Sequence, residues 1–160
     1  MKKFELTGEF ITNIFGKKLF RIRALVAFGD VEAGELGGYV EKEENLSDGG
    51  NAWVYGDAQV YGDARVSGDA RVSGDAWVSG NAWVYGNDDI LQITGLGTVH
   101  RTTTVFRTTD GIRIACGCFY GDLDAFREQV KNTREGKVQR EYLKFADLVE
   151  IYFGVDEEDE

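Results

Sequence analysis

The sequence predicts a mainly β protein: a short parallel β-helix with a strand-built cover before it and a β-hairpin plus two helices after it. Three observations carry this. The middle of the chain repeats every six residues, the segments on either side carry strand alternation and then helical spacing, and one of the 21 glycines falls at each repeat boundary.

The repeat is explicit. Gly stands at 50, 56, 62, 68, 74, 80 and 86, and Asp or Asn follows each one. Ala recurs at 52, 58, 64, 70, 76 and 82, and Val at 54, 60, 66, 72, 78 and 84; Ile90 and Leu96 continue the Val column. Ala and Val lie two apart, so on an extended segment both point to one side and the residues between and after them point to the other. Gly-Asp and Gly-Asn break the strand, because Gly accepts positive φ and Asp or Asn bonds its local backbone. Each hexapeptide is a short strand plus a corner, and three make a coil of about eighteen residues stacked at about 4.8 Å. Before the repeat, Val40 and Leu46 fall in register with the Ala column while Lys42 and Asp48 occupy Val positions, so 38–49 read as an irregular opening rung.

Each flank offers covers for the two open ends. Residues 3–7 and 18–24 read as strands, the second with Phe20, Ile22 and Ala24 alternating against Arg21 and Arg23. Residues 103–118 read as a hairpin about Asp110-Gly111, with Ile112, Ile114, Cys116 and Cys118 on its apolar face. Asp122 is a suitable N-cap for a helix with Leu123, Phe126 and Val130 on one stripe. A second helix over 138–152 places Val138, Tyr142, Phe145, Val149 and Tyr152 at helical spacing. The expected organisation is a β cap over 1–37, the β-helix over 38–97, the hairpin and helices over 98–155, and an acidic disordered tail at 156–160.

Composition excludes several functions. With 18 Lys+Arg against 28 Asp+Glu, the formal charge is −10, which opposes general nucleic-acid binding. Met1-Lys2-Lys3 starts like a signal peptide, but Glu5 and Glu9 fall where an apolar stretch would have to run, and the longest apolar run, 24–28, is too short to span a membrane. Two cysteines at 116 and 118 sit too close along a strand for easy disulfide geometry, so free thiols and a cytoplasmic location are expected.

The block Leu36-Gly37-Gly38-Tyr39-Val40-Glu41, then Glu44-Asn45-Leu46-Ser47 and the G-[DN]-A-x-V-x array, resembles small hexapeptide-repeat proteins of phages and prophages, the YdcK-like group. Cys116-Gly117-Cys118-Phe119 through Gly121, Leu123 and Phe126 is similar to that group's C-terminal module. The resemblance implies a left-handed coil, trimeric association and a phage or prophage origin; it carries no secure activity.

Catalytic chemistry finds little support in the residues. Hexapeptide acyltransferases, which share the repeat, place a His on the prism, whereas the one His here, His100, lies outside 50–91. A single His cannot supply the zinc set of the carbonic anhydrases on this fold, and Cys116-x-Cys118 lacks metal-ligand spacing. The Gly-Asp period of six does not match calcium-binding nonapeptides. No catalytic residue, metal site or cofactor is expected.

The anomaly is what faces outward. Trp53, Trp77 and Trp83, with Tyr55, Tyr61 and Tyr85, fall on outward positions, and the eighteen-residue coil sets Trp53 beside Arg71 and Arg65 beside Trp83 as cation–π pairs. Trp, Tyr and Arg are the residue types of binding hot spots. These eight residues are the expected binding site, unless the flanks or a trimer interface cover them. The function expected is a non-catalytic phage or prophage binding protein in the cytoplasm of a bacterial host. It would act in counter-defence, sequestering a nucleotide-like signal or masking a host protein. A hexapeptide acyltransferase and a structural assembly component are the alternatives.

Overall fold

The computed structural model describes residues 2–154. Three strands come first: β1 (Phe4–Thr12), β2 (Lys18–Ala24) and β3 (Leu36–Val40). Six two-residue strands make up the repeat: β4 (Trp53–Val54), β5 (Gln59–Val60), β6 (Arg65–Val66), β7 (Arg71–Val72), β8 (Trp77–Val78) and β9 (Trp83–Val84). Four more form a separate sheet, β10 (Ile90–Leu96), β11 (Arg101–Thr108), β12 (Gly111–Cys116) and β13 (Phe119–Gly121), and the helices α1 (Leu123–Thr133) and α2 (Gly136–Phe153) close the fold.

The repeat builds three parallel ladders. Trp53 pairs with Arg71, Gln59 with Trp77 and Arg65 with Trp83, an offset of 18 residues in each. Six glycines, 50, 56, 62, 68, 74 and 80, hold φ between +58° and +68°, so the corners use the left-handed backbone that the Gly column supplies. Gly86 is extended, and there the repeat stops. All six Val and all six Ala of the columns are buried at 2% exposure or less and form the main core. Each Val side chain buried this way contributes about 1.5–3 kcal/mol.

The opening rung differs from its expected register. Tyr39 pairs with Gln59, Val40 with Val60 and Leu46 with Val66, so Val40 and Leu46 join the Val column at an offset of 20 and not the Ala column at 18. Two additional residues between Leu46 and Val54 account for the shift. Asn45 holds this rung in place. It is fully buried, its Oδ1 accepts from the Glu41 and Lys42 N–H groups, and its Nδ2 donates to the carbonyls of Gly62 and Ala64.

The upper end is closed by strands. β3 lies parallel on β5, β2 runs antiparallel on β3, and β1 antiparallel on β2, making one sheet in the order β1-β2-β3-β5-β8. Close approach requires glycine: a Cβ on Gly38 would stand 2.7 Å from the Ala58 carbonyl and from Val54 Cγ1. In β2 the alternation breaks at a register shift between Arg21 and Arg23. Leu19 is therefore the fully buried residue of a small cluster with Tyr39 and Tyr61, while Phe20 is half-buried.

The lower end is closed by β11, whose Phe106 is fully buried in the solenoid core. Ile90 and Leu96 do not extend the repeat, because β10 turns antiparallel onto β11, Ile90 opposite Phe106. The hairpin over Asp110-Gly111 forms as expected, β11 on β12. One face of the β10–β13 sheet meets the solenoid through Ile90, Phe106 and Ala115, and the other packs α1 and α2 through Val105 and Ile114. Asp122 caps α1 by accepting from the Ala125 N–H at 2.8 Å. Arg127 ties the helices together by pairing with Asp147 and Glu150.

Two expectations in this region need correction. Cys118 is exposed, because the chain reverses at Gly117 (φ +60°) and carries it off the hairpin face; Cys116 is half-buried. Tyr152 is exposed and donates its hydroxyl to the Asn87 and Ile90 carbonyls, leaving Phe153 as the buried end of the α2 stripe. The acidic tail at 156–160 lies outside the described residues. No helix among the described residues is long and apolar enough to cross a membrane.

Lys3 supplies a pH signature. Its side chain is buried, donates to the Ala52 carbonyl at 2.7 Å and lies 4.5 Å from the Phe28 ring centre. Burial pushes its pKa below the ordinary lysine value, and nearby Asp48 opposes the shift. The folded value lies below the unfolded one near 10.4, so between the two the unfolded chain carries the extra proton and this group's contribution to stability rises with pH. The parent should gain stability over Lys3→Met as the pH is raised from 7 towards about 10. Urea midpoints for both proteins across that range check this, and parallel profiles would contradict it.

Candidate functional site

The three ladders present three outer faces, and the flanks cover two of them. On the face of β4 and β7, Trp53 points away from the coil yet is fully buried, with Phe28 and Phe4 edge-on at 5.3 and 6.5 Å. The same loop brings Asp30 onto Arg71 and Tyr55. Arg71 Nη1 pairs with Asp30 Oδ2 at 2.9 Å, and the Tyr55 hydroxyl donates to Asp30 Oδ1 at 2.9 Å. These contacts hold the Asp30 carboxyl below its usual pKa, the Arg71 hydrogen bond being the largest cause. Arg71 lies over Tyr55, 5.7 Å from its ring centre, so its aromatic partner is Tyr55 in place of the expected Trp53.

On the face of β5 and β8, the tip of the β1–β2 hairpin folds over the coil. Phe15 sits 6.1 Å from Trp77 and 6.4 Å from Tyr61. Tyr61 is buried with Leu19 and Tyr39, and burial raises its hydroxyl pKa; Trp77 is half-buried. Five of the eight expected binding residues, Trp53, Tyr55, Tyr61, Arg71 and Trp77, are therefore engaged within the chain. Of the six outward Trp and Tyr residues, Trp83 and Tyr85 alone are exposed, and both lie on one face.

That face is the ladder of β6 and β9. It carries a groove of about 960 Å³ into which Arg65, Trp83 and Tyr85 all open. Trp83 and Tyr85 are 44% and 48% exposed, and their rings touch at a centroid distance of 4.8 Å. Arg65 stands directly beside Trp83 in the ladder. The upper wall comes from the opening rung, through Glu43, Glu44 and Ser47, with Lys2 bonded to Glu43; Thr109 of the hairpin turn lies at the lower end.

Most charged side chains of the groove already have a partner. Lys2 bonds Glu43 and Lys42 bonds Asp63 at 3.2 Å as ion pairs, and Asp48 accepts a hydrogen bond from the Lys3 backbone N–H at 3.1 Å. Arg65 and Glu44 have no ion pair or side-chain hydrogen bond among the described residues. Among the described residues the groove thus offers a cation, Arg65, and a carboxylate, Glu44, without side-chain partners, beside two adjoining aromatic rings. Sequence reasoning did not find Glu44, Ser47 or Lys2 as wall residues, because none belongs to a periodic column. The one signal for Glu44 and Ser47 was the break in the repeat at 38–49; Lys2 had none. His100, outside the groove, is exposed with φ +52°, and its Nδ1 is 3.0 Å from the Gly95 carbonyl.

A family model described as the YdcK Beta solenoid repeat matches residues 58–73 and 70–86. The matched stretch runs from β5 to the end of the third ladder, so the repeat is similar to that β-solenoid repeat over the rungs that build the groove floor. No curated protein matches the chain.

The covered and open tryptophans should respond oppositely to truncation. Trp53→Ala should cost about 3–5 kcal/mol of stability as a core deletion, whereas Trp83→Ala should stay within about 0.5 kcal/mol of the parent. Chemical denaturation of the two variants measures this, and equal losses would contradict the assignment. Asn45→Ala removes four hydrogen bonds beneath the upper wall and should cost about 2–4 kcal/mol. The same measurement checks it; a neutral variant would mean that the opening rung is held by other contacts.

Proposed function

We propose that this protein is a non-catalytic binding module of phage or prophage type, which acts in counter-defence by masking a host protein with the open face of its solenoid. One observation carries the reading. After the flanks have engaged five of the eight outward aromatic and arginine residues, Arg65, Trp83 and Tyr85 converge on one groove and stay open. Large exposed rings beside a guanidinium are the composition of a hot spot, and isolated monomers rarely leave such a surface without use.

Arg65 beside two rings also favours a second reading, a nucleotide-like signal with its base on Trp83 or Tyr85 and its phosphate on Arg65. Trimeric association, with the left-handed coil that the resemblance implies, is the competing use of the same face. An acyltransferase gains less support. The imidazole of His100 is held against the Gly95 carbonyl in the β10–β11 turn, away from the residues that line the groove.

The test is a host-cell assay. The protein should raise phage plating on a host strain whose defence it counters. Trp83→Ala combined with Tyr85→Ala should abolish the effect with little change in melting temperature, and His100→Ala should retain it. Loss of the effect in His100→Ala together with acetyl-CoA-dependent acyl transfer by the parent would overturn the reading. So would full activity in the double variant.

A further inference from the structure

Resting on the binding reading above, we infer that the groove on the third face takes an extended polypeptide segment carrying both a carboxylate and a cationic side chain. The carboxylate meets Arg65, the cation meets Glu44, and the segment's apolar body lies on Trp83 and Tyr85.

Within the groove Lys2, Glu43, Asp48 and Asp63 already have partners, while Arg65 and Glu44 do not among the described residues. These two stand on successive rungs, Arg65 in β6 and Glu44 in the turn over Glu43–Asn45 above it. A nucleotide satisfies Arg65 but leaves Glu44 unanswered and brings its remaining negative charge beside that carboxylate, where like charges repel. A polypeptide presents both signs along one chain and satisfies both ends. The rings fit the same occupant, since a Lys or Arg stem packs on an indole or phenol face as its charged head reaches a carboxylate.

Shape argues against a second copy of this chain. The face is concave, with an upper end at the opening rung and a lower end at Thr109, so two identical faces do not fill one another across a two-fold axis. The formal charge of −10 also opposes self-association. A groove bounded in this way accepts a strand or loop of a partner protein, the kind of segment a masked host protein would present.

The experiment is a selection of displayed peptides of about twelve residues, roughly 40 Å when extended, on the full chain. Winners are resynthesised and their affinity measured by calorimetry. The expected winners carry both an acidic and a basic residue. Arg65→Glu should weaken a winner by at least about tenfold, and exchanging the peptide's acidic residue for Lys should restore binding. Glu44→Lys should weaken it likewise, and exchanging the peptide's basic residue for Glu should restore it. Both side chains are exposed, so unchanged melting temperatures exclude a folding effect.

A selection that enriches no peptide, or peptides indifferent to both reversals, overturns the inference. Arg65-dependent binding of ADP with no peptide binding assigns the groove to a nucleotide, and concentration-dependent self-association lost in Arg65→Glu assigns it to a second copy. Either also overturns the inference, while the binding reading keeps its own test in the host-cell assay of the Trp83 and Tyr85 double variant.

Discussion

The eighteen-residue parallel register is the constraint on which the rest of this protein depends. It stacks Val on Val and Ala on Ala, so the coil interior is filled by side chains of two sizes with every column residue buried. The same register brings glycine corners above one another at the same period. A Cβ on Gly50 would stand 2.5 Å from the Gly68 carbonyl, so the corners are limited by space as well as by positive φ. A parallel ladder of this kind also ends in unpaired backbone at its top and bottom, and both flanks answer that need. β3 continues the ladder above β5 through the close approach at Gly38, and β11 crosses the last rung with Phe106 in the core.

Closing the ends has a consequence for the sides. The loop that leads from β2 to β3 passes over one face and brings Phe28 onto Trp53 and Asp30 onto Arg71 and Tyr55. The β1–β2 hairpin tip passes over a second face and brings Phe15 onto Tyr61 and Trp77. Aromatic residues that look like a binding surface on the coil alone are thus partly the inner surface of the cap. The C-terminal sheet meets the last rung from beneath, Thr108 bridging to Ala82 just before β9, and Thr109 beside it lines the lower end of the groove.

Electrostatics obeys the same division. The excess of carboxylates is distributed so that many meet a cation within the chain, as Glu5 and Glu9 meet Arg23 and Arg21, and Asp89 meets Arg107. Asp89 also accepts from the Tyr85 and Gly86 N–H groups, satisfying backbone where the repeat ends. Such exposed pairs contribute little individually to stability. Within the groove the ion pairs Lys2–Glu43 and Lys42–Asp63 leave Arg65 and Glu44 without an ion pair among the described residues.

The sequence by itself determined the solenoid, its period, its corners and its inward columns, because each hexapeptide repeats the same local instruction and neighbouring copies agree. It also determined the Asp110-Gly111 hairpin and the Asp122-capped helix, whose signals are local. Of the candidate site, sequence reasoning found Arg65, Trp83 and Tyr85 and their ladder neighbours, since outward positions are set by strand alternation. Only the tertiary structure decided which of the eight outward residues stay open. Whether Trp53 meets Phe28 or solvent depends on where a non-repeating loop about twenty-five residues earlier in the chain is laid down, and no periodicity encodes that. The 20-residue offset of Val40 and Leu46, the departure of Ile90 from the Val column and the groove wall at Glu44 have the same cause. They lie where the repeat gives way, and there packing between distant segments, and not a local rule, sets the register.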